Sequence, residues 1–403
     1  MKILMIAPQP FLVPRGTPIS VYQRLCALSS LGHEVDLLTY HVGEDVDIPG
    51  VKIHRIPRIP WIKEVKAGPS WRKLFLDVFI VWKAIVMLSR RRYDVIHSHE
   101  EAAFFSIPLS VLFRTHHLYD MHSRLPRQLE NFNFGNVPPI IKLFEILERW
   151  TLRTCDGVLT IDGDLGEYVK GVNPSVNYTR VENLPIQTEF MPIAEKSVDE
   201  LRDRFGLNGR LAVVYTGSFE RYQGLDLLVD SVESVKEKHP GVVFLLVGGR
   251  PRQIEYWKNE VRRRNLEEWI RFVGTVPVEE IPLYVGLAEI LVSPRIFGTS
   301  VPLKIYTYLL SGKPIVATRI PSHTQVLNNE VAVLVKPTKE DLAEGISRLI
   351  QTPDLRTQVG RQAHNFAMEY CDPAKYSTRL DQAYQAFQRS SQSLVEHSKS
   401  VQN

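Results

Sequence analysis

The stretch LAVVYTGSFERYQGLDLLVD, residues 211–230, decides the architecture. It opens with a nearly continuous apolar run, breaks at Gly217 and Gly224, and passes into a helical stretch. A strand this apolar suits a parallel sheet covered on both faces, and strand, glycine loop and helix in that order form the first half of a βαβ unit. Toward the C-terminus the grammar continues through VVFLLVGG from Val242, WIRFVG from Trp269, EILVSP from Glu289, PIVAT from Pro314 and VAVLV from Val331.

Toward the N-terminus, VENLPIQTEFMPIAEKS from Val181 has prolines and no period, so it reads as a crossing between domains. Before it the strand grammar appears again: ILMI from Ile3, EVDLLT from Glu34, VKIHRI from Val51, DVIHSH from Asp94, LYDMH from Leu118 and GVLTI from Gly157. Helices are expected from Ser20, from Glu101 and through Ile140 to Leu152, with Ser20 as a helix cap and Gly32 as a left-handed stop. The expected organisation is a first Rossmann-like domain over 1–183, a second over 184–371, a crossing helix over 372–390 packing back on the first domain, and a flexible tail over 391–403.

Composition agrees with two cores. A chain of 403 residues with 44% hydrophobic residues exceeds what one compact core holds. A formal charge of +4 permits an anionic substrate or membrane surface and does not call for nucleic acid. Cys26, Cys155 and Cys371 are far apart with no CxxC spacing, which argues against a disulfide framework or a cysteine zinc site and fits a cytoplasmic protein. The opening MKILMIAPQP reads as a strand and not a signal peptide. The stretch WRKLFLDVFIVWKAIVMLSRRRYD from Trp71 carries Asp77 and Lys83, so it reads as a half-buried helix or one lying on a membrane surface, and not a spanning segment.

Right-handed crossovers place every strand-to-helix loop along one sheet edge, where ligands are expected. In PQPFLVPRGTPIS, Gly16 precedes a helix, so backbone N–H groups there suit a phosphate. HSHE puts His97 and His99 on one strand face with Glu100 beyond, and His116, His117, Asp120 and His122 follow. Imidazole and carboxylate suggest a metal, but the spacing spells out no closed ligand set, so none is expected. His122 in YDMHS either hydrogen-bonds a sugar hydroxyl or is satisfied by backbone. In the second domain, Gly217, Ser218, Arg221 and Gln223 lie on one loop, Gly248, Gly249 and Arg250 on the next, and Arg295, Thr299 and Lys304 on a third. Glycines and cations on one rim suit a nucleotide diphosphate.

This succession resembles the family 4 retaining glycosyltransferases, which have the GT-B fold: α/β, two Rossmann-like domains with parallel sheets facing across a cleft. The likeness runs through the Gly16 loop, LGHEV, HSHE, YDMHS, the NLP at Asn183, YTGSFERYQGLD, LLVGG, RFVGTVP, SPRIFGTSVPLKIY and SGKPIVAT. It implies that the second domain holds a UDP- or GDP-linked sugar and the first an acceptor. Gly16 and Thr17 would meet the donor phosphate and His122 the donor sugar. Gly274 to Val276 would meet the base, and Ser293 to Thr307, with Ser300, Val301, Pro302, Leu303 and Lys304 among them, would line the ribose and sugar. His99, Glu100 and Arg124 are acceptor-side candidates. The loops from Pro57 and from Arg124, rich in aromatic and basic residues, suit a glycan or lipid-linked glycan.

The chain departs from that family where it counts. Thr299 and Thr307 stand where two glutamates are usual, and Ser218 and Gln223 where an arginine and a lysine clamp the diphosphate. Arg221, Arg250, Arg295 and Lys304 are the candidate replacements. The expected reaction is hexosyl transfer with retained configuration, without metal or other cofactor, at a cytoplasmic site with peripheral membrane contact. The alternatives are a nucleotide-sugar-binding partner subunit that has lost catalysis, and a nucleotide-sugar epimerase of the same fold.

Overall fold

The computed structural model describes the chain except residues 13–15, 66–67, 69, 132–137, 185–194, 299 and 401–403; the side chains at 16, 130–131, 195–197 and 388–400 are also outside the described set. Two compact units emerge, Met1–Asn183 with Pro373–Asn403, and Leu184–Asp372.

The first unit contains strands β1 (Lys2–Ala7), β2 (Glu34–Thr39), β3 (Val51–Arg55), β4 (Val95–His99), β5 (His116–Met121), β6 (Gly157–Thr160) and β7 (Asn177–Arg180). Its helices are α1 (Gly16–Ser30), α2 (Trp71–Arg90), α3 (Ala102–Phe113), α4 (Leu125–Asn131), α5 (Pro138–Thr154) and α6 (Gly163–Val172). All strand pairs are parallel, in the order β3-β2-β1-β4-β5-β6-β7. The order reverses between β1 and β4, a switch point that opens a crevice at the carboxyl ends of those strands. Apolar clusters cover the sheet, one with Leu4, Leu38, Ile80 and Ile96, another with Tyr119, Leu152 and Val158.

The second unit holds helix α7 (Glu195–Arg204) and strands β8 (Leu211–Thr216), β9 (Val242–Val247), β10 (Ile270–Gly274), β11 (Ile290–Ser293), β12 (Ile315–Thr318) and β13 (Val333–Val335). Helices α8 (Leu225–Lys238), α9 (Pro251–Arg263), α10 (Ile281–Gly286), α11 (Leu303–Leu310), α12 (Pro321–Thr324), α13 (Lys339–Gln351) and α14 (Pro353–Tyr370) link and cover them. The sheet is again parallel, β10-β9-β8-β11-β12-β13, with its switch point between β8 and β11. The strand read first, β8, is buried from Ala212 to Thr216, as a central strand covered on both faces must be.

Helix α15 (Pro373–Ser400) then belongs to the first unit, where Leu380, Ala383, Tyr384 and Phe387 bury one face and Arg379 bonds Glu182 at 2.6 Å.

Three local expectations are corrected. Helix α1 begins at Gly16, so Ser20 is buried inside the helix and is not its cap; Pro18 is tolerated because a first-turn N–H has no intrahelical partner. Strand β7, NYTR, was not expected: it is a polar edge strand that need not carry an apolar signal. The backbone of α15 is helical to Ser400, past the expected end near 390, since SSQSLVEHSKS contains no glycine or proline to stop it.

Candidate functional site

In the first unit the carboxyl ends of β4 and β5 carry a fully buried polar cluster. Residues two apart on a strand share a face, so His97 and His99 lie side by side, as do Asp120 and His122, and pairing sets His99 opposite Asp120. The His97 and His99 rings stack at 4.7 Å. Asp120 is the centre: its Oδ2 accepts from Arg24 Nε at 2.9 Å and lies 3.3 Å from His97 Nε2. His122 Nε2 lies 3.4 Å from Asp120 Oδ1 and 3.0 Å from His99 Nδ1.

Burial alone would raise the Asp120 carboxyl, but Arg24 and the surrounding histidines outweigh it and hold Asp120 well below the usual carboxylate range. Burial has the opposite effect on the imidazoles. It lowers His97 and His99, and His122 falls to about 4 although Asp120 pulls it up. At neutral pH the cluster is therefore one anion, one guanidinium and three uncharged rings. His97, His99 and Asp120 bring ligand atoms within 4.8 Å of one another. Yet the Asp120 oxygen they share already takes Arg24, whose fixed charge opposes a divalent cation.

Around this cluster lie the other first-unit candidates. Gly16 is the first residue of α1, so its N–H is one of the donors a helix leaves unpaired, and Thr17 follows half-buried. Glu100 stands in the left-handed region at φ 50°, with its carboxyl pushed up to about 8 by burial and then Glu101. Strain of this kind is retained where a side chain must be aimed. Arg124 turns inward, 3.9 Å over the Tyr168 ring and 3.6 Å from buried Glu148.

In the second unit three glycine turns are stitched together at the carboxyl edge. Gly217 N–H donates to Val247 at 2.9 Å, and Gly248 N–H donates to Gly274 at 2.7 Å. A Cβ on Gly248 would stand 2.0 Å from the Gly217 carbonyl oxygen, and one on Gly249 2.4 Å from the Phe219 ring. Glycine is required because the turns touch. The β11 loop joins them: Ile296 N–H donates to Tyr222 at 3.0 Å, and a Gly224 Cβ would meet the Pro294 carbonyl oxygen at 2.0 Å. Val276, half-buried, follows Gly274 on the same edge.

The four cations differ in what they already hold. Arg250 pairs with Glu220 on the surface. Arg295 braces its own loop, donating to Phe297 O at 2.9 Å and Ser300 O at 3.1 Å, and lies over the Tyr222 ring. Arg221 is exposed at the start of a short 3-10 turn, beyond exposed Ser218. Lys304, in the first turn of α11 after Val301, Pro302 and Leu303, sets Nζ 4.0 Å over the Tyr215 ring and 3.3 Å from Gln223 Oε1. Among the described residues no carboxylate pairs with it, and burial, then Arg295, hold its ammonium well below the usual lysine range. Thr307 is half-buried one turn further along α11; Thr299 lies outside the described residues.

The histidine motifs were legible from strand alternation, but the roles of Arg24, Tyr376 and Tyr384 were not, because α1 and α15 meet β4 and β5 only in space.

A family profile described as "Glycosyl transferase 4-like domain" matches residues 15–185, and one described as "Glycosyl transferases group 1" matches residues 210–352. The chain is 22% identical over 389 residues to the phosphatidylinositol N-acetylglucosaminyltransferase GPI3 subunit of Saccharomyces cerevisiae (strain YJM789), spanning 91% of this chain and 79% of that protein. It is 23% identical over 389 residues to a phosphatidylinositol N-acetylglucosaminyltransferase subunit of Homo sapiens, spanning 92% and 72%. Among solved structures, Anabaena HepE in complex with UDP superposes with a TM-score of 0.73 at 16% identity, over 96% of this chain and 100% of that one. WaaG, a glycosyltransferase involved in lipopolysaccharide biosynthesis, gives 0.69 at 13% identity, over 93% and 98%. At such identities these two likenesses speak to the fold.

Proposed function

Because the chain belongs to the group 1, family 4 glycosyltransferases, we propose that it transfers a sugar from a nucleoside-diphosphate sugar to a lipid-linked or glycan acceptor with retention of configuration. The observation that carries the donor reading is Lys304, a desolvated ammonium with no carboxylate partner among the described residues, beside glycine turns whose backbone can approach a diphosphate. In this reading the growing charge on the departing diphosphate is met by Lys304 beside the glycine turns of the second unit. His122, uncharged, bonds the donor sugar and needs no proton of its own to do so. The reaction proceeds without a divalent metal.

The acceptor side belongs to the first unit. Support for a lipid-linked acceptor comes from the relatives named for phosphatidylinositol and from α2, where Trp71, Leu74, Phe75, Val78, Trp82 and Ile85 form an exposed apolar stripe. The opposite face of α2 is core, with Leu76, Ile80 and Ala84 buried. Arg72 and Arg90 on α2, with Arg92 beyond it, suit an anionic surface. Among the described residues no helix is long and apolar enough to cross a membrane. Peripheral attachment is the reading proposed.

The test is release of UDP or GDP from a panel of their sugars, with membrane lipid extract as acceptor source and EDTA present. His122→Ala is expected to lower turnover at least tenfold, of the order general acid–base and electrostatic groups contribute. Full turnover in that variant removes His122 from the reaction, and chelator loss restored by one metal refutes the metal-free reading. Thr307, neutral where the family carries glutamate, favours a second reading, a binding subunit without catalysis; tight nucleotide binding with no turnover across the panel would select it.

A further inference from the structure

Helix α15 reaches the histidine cluster through two phenols on one face, Tyr376 and Tyr384, both buried. Tyr376 Oη accepts from Arg24 Nη1 at 2.6 Å, and Arg24 Nη2 donates to the Val181 carbonyl at 2.9 Å, so the guanidinium cannot turn away from Asp120. Tyr384 Oη lies 2.6 Å from His97 Nδ1. The helix thus grips both groups that meet Asp120 Oδ2.

The partners of Asp120 and His97 place the His97 proton. Asp120, held ionised beside Arg24, can only accept. His97 is uncharged and carries one ring proton, which belongs on Nε2, 3.3 Å from that carboxylate. Nδ1 is then a bare lone pair and must receive the Tyr384 hydroxyl, which burial keeps protonated. Among the described residues Asp120 Oδ1 accepts no hydrogen bond: His122 Nε2 lies 3.4 Å from it and bonds His99 Nδ1 at 3.0 Å instead.

We propose that Tyr384 is a positioning residue for transfer: by donating to His97 Nδ1 it fixes the His97 tautomer and so holds the His97 Nε2–H on Asp120, the carboxylate at the centre of the cluster that includes His122. The inference rests on the proposed role of His122, but its first readout does not. Without the phenol, the two tautomers of His97 become comparable, and the Nδ1–H form withdraws its bond from Asp120. The C-terminal helix is then part of the chemistry and not only a strap.

The experiment is long-range proton–nitrogen NMR of the histidine rings in the full chain, paired with steady-state kinetics. In the unaltered protein, His97 is expected in the Nε2–H form. Tyr384→Phe should show a mixed His97 tautomer and a kcat lowered about tenfold or more, as when a catalytic histidine takes the wrong tautomer, with the donor KM unchanged. Phe387→Leu, which removes the ring packed edge-on against Tyr384 but leaves the Tyr384 hydroxyl, should keep the tautomers and kcat of the parent. Tyr384→Phe with unchanged tautomers or unchanged kcat overturns the proposal. So does an Nδ1–H signal from His97 in the parent, a result that needs no folded variant. A tautomer shift in a protein that transfers no sugar at all refutes the transferase reading and leaves the relay intact.

Discussion

Replacing Lys304 by methionine separates the donor reading from every structural alternative. The thioether keeps the packing of the stem but removes an amine that, among the described residues, has Gln223 Oε1 at 3.3 Å and the Tyr215 ring at 4.0 Å to offset its desolvation. A diphosphate would supply the missing anion. A hydrogen bond to a charged group contributes about 1.5–3 kcal/mol, which at 1.4 kcal/mol per decade corresponds to a UDP or GDP Kd weakened roughly 10- to 150-fold. The free protein should respond in the opposite direction. Because the folded-state pKa lies below the unfolded value of 10.5, the unfolded chain binds more protons between the two, and stability rises with pH across that window. At pH 7, well under 10.5, the parent carries a desolvation penalty that the variant lacks, so Lys304→Met should melt higher than the parent there, the gap narrowing toward pH 10.5. Calorimetric titration with each nucleotide and scanning calorimetry of the free protein read the two effects. A variant that binds both nucleotides as well as the parent, or that melts lower when free, refutes the reasoning.

Thr307→Glu, one turn beyond Lys304 on α11, is expected to tighten nucleotide binding by about 1.5 kcal/mol or more if that position faces the ribose, measured as the difference between ribo- and 2′,3′-dideoxyribonucleotide affinities; an unchanged difference places the ribose elsewhere. Gly224→Ala must fit a Cβ 2.0 Å from the Pro294 carbonyl oxygen at φ 73°, for a cost of about 2–4 kcal/mol, read as a fall of roughly 5–15 °C in the melting of the second unit; a loss under a degree would show that the turn is not held as described. Acid unfolding should begin with histidines. His117, His122 and His323 are pushed down to about 3, 4 and 3 by burial, so each is neutral in the fold. As pH falls below 6.5 the unfolded chain protonates first, and stability drops by about 1.4 kcal/mol per pH unit for each of them. A flat stability profile between pH 6.5 and 4.5 contradicts those buried, uncharged rings.

Much of the fold is written in local pattern. Strands β1, β8, β9 and β11 are nearly continuous apolar runs because a central parallel strand has no face to spare for water, and each announces itself in the sequence. The glycine turns after β8, β9 and β10 are equally visible. That Gly248 is needed because the Gly217 carbonyl lies against it is not visible, since the two are consecutive only along the sheet edge. Edge strand β7 escaped because a half-solvated strand can be polar, and the start of α1 escaped because Pro18 resembles a stop while lying in a turn that needs no donor.

The candidate site divides in the same way. Sequence by itself determined that His97 shares a strand face with His99, and Asp120 with His122, because strand geometry repeats every two residues. Only the tertiary structure decided that Asp120 is ionised, that the rings beside it are not, and that the Lys304 amine is buried with no carboxylate partner among the described residues. Charge state depends on which groups are brought together and how far water is excluded from them. Arg24, Asp120 and Tyr376 are brought into contact from positions as much as 352 residues apart.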